Sequence, residues 1–286
     1  MSRHAPVIVI GMHRSGTSAV VRALDELGLF TGHDLEPNAE ARFFLRLNEQ
    51  MLRMAGAYWD SPEPMLQLLE DDELVEWLAR WLDLQLHGFG TSLYLSKPGW
   101  VRYRDIRRYP QPWGWKDPRN TLTLPVWLRL FPDAKVVNVV RHGVDVAASL
   151  QFREEKLRYE TLHTSQYEPK AWRVTSLRCR ELKGAFSLWE DYVSAADSAL
   201  VSLSVSQKLQ FRFEDWLQSP LPLLQQLNEW LGLGASEARM QSVANDLRPE
   251  RGFAYRGSEQ LNHFDAEVAS HSALMRKYYL DDGNSR

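Results

Sequence analysis

Hydrophobic positions follow two rhythms along this chain. Val7-Ile8-Val9-Ile10 is a short unbroken apolar run, and AKVVNVV, Ala134 to Val140, is another. Both predict strands buried on both faces. KLQFRF, Lys208 to Phe213, alternates and predicts a third strand, and a short strand is expected near Trp113 to Trp115. Between them the spacing turns helical. Ala19, Val20, Ala23, Leu24 and Leu27 predict a helix stopped by Gly28. Leu68 to Gly88 predicts an amphipathic helix with Leu74, Trp77, Leu78, Trp81 and Leu82 on one face. Ser219-Pro220 opens a helix through Leu223, Leu224, Leu227, Trp230 and Leu231, closed by Gly232. Strands alternating with helices predict an α/β fold, a central parallel sheet flanked by helices on both faces. Such sheets bind ligands at the carboxyl ends of their strands. No clean linker interrupts the pattern, so residues 1–286 read as a single domain. The mixed-charge stretch 151–183 reads either as a lid or insertion or as a solvated helix pair.

Composition narrows the partners. The 286 residues are 44% hydrophobic and carry a formal charge of −3, which is not the basic footprint of a nucleic-acid binder. An anionic ligand must therefore be met by local arginines. The one cysteine, Cys179, allows no internal disulfide and fits a reducing, cytoplasmic compartment. No apolar run approaches the roughly 18 residues of a membrane span, and MSRHAP leads straight into the first strand without a signal peptide. The sequence does not fix the oligomeric state.

The first strand runs into Gly11-Met-His-Arg-Ser-Gly16-Thr17-Ser18 and then a helix, a P-loop-like layout. Nucleotide hydrolases carry G-x-x-x-x-G-K-[ST] here. This chain has both glycines and no lysine; an arginine, Arg14, sits inside the loop. The loop amides and the hydroxyls of Thr17 and Ser18 form a cradle for an anion, and Arg14 adds a fixed positive fork. At the end of the second strand stands Arg141, where a hydrolase would use an aspartate for magnesium, and Ser149 follows eight residues on. Two loop arginines with no evident metal-binding aspartate point to a ligand with separate anionic groups, neutralised without a metal.

HRSGTS, VVRHGVDVAASL, FRFEDWLQSPLPLLQQLNEWLGL and WGWKDPRNTLTLPVWLRLFPDAK, in this order, resemble the sulfotransferase family that uses 3′-phosphoadenosine 5′-phosphosulfate (PAPS), its bacterial members above all. The resemblance implies a 5′-phosphosulfate loop of His13, Arg14, Ser15, Gly16, Thr17 and Ser18, and a 3′-phosphate site of Arg141 and Ser149. Arg14 would stabilise the oxygen that leaves sulfur, by charge and hydrogen bonding and not as an acid, since a guanidinium holds its proton. Lys116 would clamp the sulfuryl oxygens, with Asp117 either orienting Lys116 or Arg119 or itself contacting the acceptor. Arg256-Gly257 matches a late 3′-phosphate segment, without the family's lysine. For the general base, EPNAEARFF offers Glu40 first and Glu36 second; a histidine, His13 or His142, is the other option. Phe211, Phe213 and Trp189 are candidates to stack on adenine, or are core.

The implied activity is sulfuryl transfer from PAPS to a hydroxyl or amine of a small-molecule or glycan acceptor. Trp100, Trp113 and Trp115 suit sugar faces, and Lys97, Arg102, Arg104, Arg107 and Arg108, against Asp105, suit an anionic saccharide or glycolipid. Two rivals stand beside this reading: a P-loop kinase or NTPase, and a nucleotide-binding scaffold without turnover.

Overall fold

The structure, a computed structural model, describes residues 4–163 and 175–280. Four strands form one parallel sheet: β1 Val7–Ile10, β2 Gly114–Lys116, β3 Lys135–Val140 and β4 Lys208–Arg212, in the order β2-β1-β3-β4. Alternate side chains of the central strands enter opposite cores. Val7, Val9, Val137 and Val139 pack with the helices Thr17–Glu26 and Pro220–Leu231. Ile8, Ile10, Val136 and Val140 pack with the helices Arg42–Met54, Asp72–His87, Asn120–Leu130 and Leu182–Val201. The unbroken apolar runs are thus explained by helices on both faces, and the fold is the expected P-loop-like α/β arrangement. Strand order reverses between β1 and β3, so a crevice opens at their carboxyl ends.

Three expectations need correction. Helix Asp72–His87 buries Val75, Leu78, Ala79, Leu82 and Leu86, while Leu74 is 45% and Trp77 56% exposed. Apolar residues lie on both sides of this helix, and the stripe of small and aliphatic residues is the one that fits the neighbouring helix Asn120–Leu130. Trp113 and Trp115 are fully buried. Trp115 stacks flat on Phe44 with ring centroids 3.9 Å apart, and its indole donates to Asn120 Oδ1 at 2.9 Å. Neither ring is available to a sugar. KLQFRF is a strand only to Arg212; Phe213 begins a short helix, Phe213–Gln218.

Of the stretch 151–183, residues 151–163 continue the helix Gly143–His163, and 182–183 begin the helix Leu182–Val201. Residues 164–174 lie outside the described part. No helix among the described residues is long and apolar enough to cross a membrane.

Candidate active site

β1 feeds a loop, Gly11 to Gly16, that turns into the helix Thr17–Glu26. Gly16 is left-handed at φ 91°, and a Cβ there would lie 2.3 Å from the Phe213 ring, so both conformation and space demand glycine. Arg14 also takes a left-handed φ, 70°, which costs of order 1 kcal/mol for a residue with a side chain. Ser15 steadies the turn: its Oγ and its backbone N–H donate to Met12 O at 2.6 and 3.1 Å. Gly16, Thr17 and Ser18 line a cleft of about 750 Å³, so the first amides of the helix open on it.

The turn after β3 faces this loop. Arg141 donates from Nη1 to Arg14 O at 3.0 Å, and from Nη2 to Arg251 O at 2.8 Å and Asp145 Oδ2 at 3.1 Å. Asp145 also accepts from the backbone N–H of Tyr255 at 2.7 Å and of Ala254 at 3.2 Å, which latches a late chain segment onto this turn. Trp189 lies beneath, its indole donating to Arg141 O at 3.0 Å. Arg14 Nε reaches across and donates to Ser149 Oγ at 2.9 Å. The two motifs, distant in sequence, thus share one set of hydrogen bonds.

A third group approaches from β2. Lys116, at the end of that strand, is 1% exposed and donates to Glu40 Oε1 at 2.5 Å, Asn38 O at 2.6 Å and Ser18 Oγ at 3.1 Å. Glu40 is aimed inward by a tight turn. Glu36 N donates to Glu40 O and Ala39 N to Glu36 O, both at 2.8 Å, and Ala39 is left-handed at φ 61°. Glu36 points elsewhere, pairing with Arg42 at 2.5 Å. Burial lowers the Lys116 pKa, opposed by Glu40 and Asp117. Asp117 accepts from Asn48 and from Arg119.

The cleft is cationic. Arg14, Arg22, Arg141, Arg153, Arg248 and Arg251 line it with Lys116, against Glu40, Asp145 and Asp246. Burial, then Arg153, Arg141 and Arg251, push the Arg14 pKa below its ordinary value. Arginine nonetheless stays charged, so this crowding is relieved by binding an anion. His13 lines the cleft beside them, edge-on to Trp59 with centroids 5.0 Å apart. Burial, then Arg119, Arg153, Lys116 and Arg14, hold its pKa well below the ordinary value, so its imidazole is neutral at pH 7. Among the described residues no cluster of three or more His, Cys, Asp or Glu side chains is placed to hold a metal ion.

The structure therefore brings together His13, Arg14, Gly16, Thr17, Ser18, Glu40, Lys116, Arg141 and Ser149 around one cleft. Ser15 is buried behind the loop. Other candidates lie elsewhere. Arg256 does not line the cleft; it stacks on Phe253 at 4.1 Å, and Arg248 and Arg251 stand on the wall. His142 is turned away, stacked on Tyr255 at 4.5 Å, its pKa lowered to about 3 by burial and then by Arg256 and Arg141. Of the three adenine candidates only Phe213 lines the cleft. Trp100 and the basic residues 97–108 do not; Arg107 pairs with Asp105 and Asp83, and Arg104 lies over Trp100. Sequence reading missed Asp145, Arg153 and Arg251. RPERG at 248–252 offered a compact basic signal for the last of these.

A glycine loop and a facing arginine at the switch point of a parallel sheet form an arrangement suited to a phosphorylated ligand. The family model of the sulfotransferase family matches residues 6–237. The chain belongs to that family and is a sulfotransferase. The sulfotransferase domain from the curacin biosynthetic pathway is similar at a TM-score of 0.50 and 16% identity, over 94% of this chain and 99% of that one. At that identity the likeness is one of fold. Sulfotransferases from Alicyclobacillus acidocaldarius (TM-score 0.48, 14% identity, 98% of each chain) and Mycobacterium avium (STF9; 0.48, 14%, 96% of this chain and 78% of that one) are also similar. No curated protein sequence matches significantly.

Proposed function

We propose that the cleft binds PAPS between the β1 and β3 turns and transfers its sulfuryl group to a hydroxyl of a second substrate. The observation that carries this is the joint placement of Arg14, Arg141 and Ser149 on one wall and Glu40 with Lys116 on another. The 5′-phosphate takes the amides at Gly16 to Ser18, and the 3′-phosphate takes Arg141 and Ser149, with Arg251 beside them. Adenine lies toward the apolar wall of Phe213, Leu217 and Leu247. Ser149 is the present partner of Arg14, so a phosphate there also gives Arg14 a better acceptor than a neutral hydroxyl.

In the transfer, the acceptor oxygen forms a bond to sulfur as the bond from sulfur to the bridging oxygen breaks. Negative charge grows on that bridging oxygen, and Arg14 stabilises it by charge and hydrogen bonds. The acceptor proton passes to Glu40, the general base. Lys116 holds Glu40 in place and faces the sulfuryl oxygens. The products are a sulfate ester and 3′,5′-ADP. No step in this scheme calls on a metal ion. The acceptor we propose is a polar, saccharide-like hydroxyl compound. Its support is the cationic character of the cleft, since Trp113 and Trp115 are core residues.

Transfer of label from [35S]PAPS to a glycan mixture tests the reading. Wild type is expected to label a glycan with EDTA present. Arg14→Ala is expected to lose the turnover, and Arg141→Ala chiefly to weaken donor binding. Wild-type kcat in Arg14→Ala, or loss of transfer in EDTA with gain of a magnesium-dependent ATPase, overturns it.

A further inference from the structure

The donor accounts for only part of the positive charge in the cleft. In the proposed complex Arg14, Arg141 and Arg251 serve its two phosphate ends, with Arg248 on the same wall, and Lys116 faces the sulfuryl group; Arg22 is tied through Nη2 to Pro37 O at 2.6 Å. Arg153, on the helix Gly143–His163, is left over at the side where His13 and Lys116 stand.

Its placement is built with care. Arg153 Nε and Nη2 donate to Glu154 Oε1 at 2.9 and 2.6 Å. Glu154 is 2% exposed, and its other oxygen accepts from Ser176 N at 2.8 Å and Thr175 Oγ1 at 3.0 Å. The face of the guanidinium lies on Trp59, 4.4 Å from the ring centroid. One edge is thus tied and one face covered, while Nη1 has no hydrogen-bond partner among the described residues. Nη1 belongs to the planar fork that suits an oxyanion. His13 packs edge-on to the same Trp59, and its Nε2 is shut off from solvent with no hydrogen-bond partner among the described residues. A buried polar atom left unpaired costs about 1–3 kcal/mol, so a ligand that satisfies it is favoured.

We propose that Arg153 and His13 form an acceptor subsite that receives a carboxylate, so the acceptor is an acidic hydroxyl compound such as a uronic-acid-bearing saccharide. This deepens the sulfotransferase reading and rests on it. Arg153 grips the carboxylate through Nη1, His13 Nε2 adds a second contact, and Lys116 and Glu40 on the same side meet the hydroxyl. Arg153 is a specificity residue here and takes no part in bond making.

The test uses the complex with 3′,5′-ADP and two probes that differ only at C6, 4-methylumbelliferyl glucuronide and 4-methylumbelliferyl glucoside. Calorimetry on wild type is expected to show the glucuronide binding about tenfold or more tightly, as a charge-assisted hydrogen bond supplies. Arg153→Gln is expected to erase that preference with the 3′,5′-ADP affinity unchanged, and Arg153→Lys to keep part of it. The inference is overturned if wild type binds the glucuronide no more tightly than the glucoside, or if the preference survives in Arg153→Gln. Failure to bind 3′,5′-ADP at all instead removes the donor reading beneath it.

Discussion

An ammonium group has three N–H bonds to give, and on Lys116 the side chains or backbone of Ser18, Asn38 and Glu40 take all three. A sulfuryl oxygen gains this cation only by replacing one of them, and Ser18, at 3.1 Å, is the longest contact. Lys116 then keeps Glu40 oriented while it turns toward the donor. Glu40→Gln retains an oxygen for Lys116 and removes the basic site. Its kcat is expected to fall about 10²–10⁴-fold, with the dissociation constant of 3′,5′-ADP unchanged, in a single-turnover assay. Wild-type kcat in this variant removes Glu40 as the base. Arg14, Arg141 and Ser149 were legible in the sequence because each sits at a fixed offset from a strand end. Glu40 was legible only as one of two carboxylates; the turn at Ala39 is what sends it inward and leaves Glu36 to Arg42. Arg153 carried no such signal. It sits on the third turn of a long helix among other charges, and only packing against Trp59 makes it part of the cleft.

At the scale of elements, the strands read well because a parallel sheet covered on both faces leaves unbroken apolar runs. The helix Asp72–His87 read less well. Leu74, Trp77 and Leu84 are as apolar as the residues it buries, so composition alone did not fix its inward face. The β3 turn shows how elements lock together. His142 is wedged there between the helix Gly143–His163 and the late segment Phe253–Tyr255, with Glu214 accepting from its backbone N–H at 2.9 Å. Arg256 and Arg141 add to burial in lowering its pKa to about 3, against Asp265 at 3.6 Å from Nε2. The folded value lies below the unfolded one. Below about pH 6.5 the unfolded chain therefore takes up a proton that the folded chain refuses, and this stability is lost as pH falls toward 3. By pH 5 the residue costs about 2 kcal/mol. In urea unfolding, His142→Gln is expected to lose about 2 kcal/mol less than wild type between pH 7 and pH 5. Equal losses contradict the assignment.

Over the whole molecule, a net charge of −3 conceals a cleft with seven basic and three acidic side chains on its wall. The sheet order places this cleft where β1 and β3 part, so turns more than a hundred residues apart in sequence meet around one cleft. The late segment is drawn in by Asp145, which no local pattern announced, and this is why Arg251 stands on the wall and Arg256 outside it. The central claim is that one doubly phosphorylated adenylate bridges the two turns. A crystal structure of the protein with 3′,5′-ADP tests it most directly. The account predicts the 5′-phosphate on the amides at Gly16 to Ser18 beside Arg14, the 3′-phosphate on Arg141 and Ser149, and Glu40 and Lys116 facing the place of the lost sulfate. A nucleotide bound outside this cleft, or one that touches neither Arg14 nor Arg141, contradicts it.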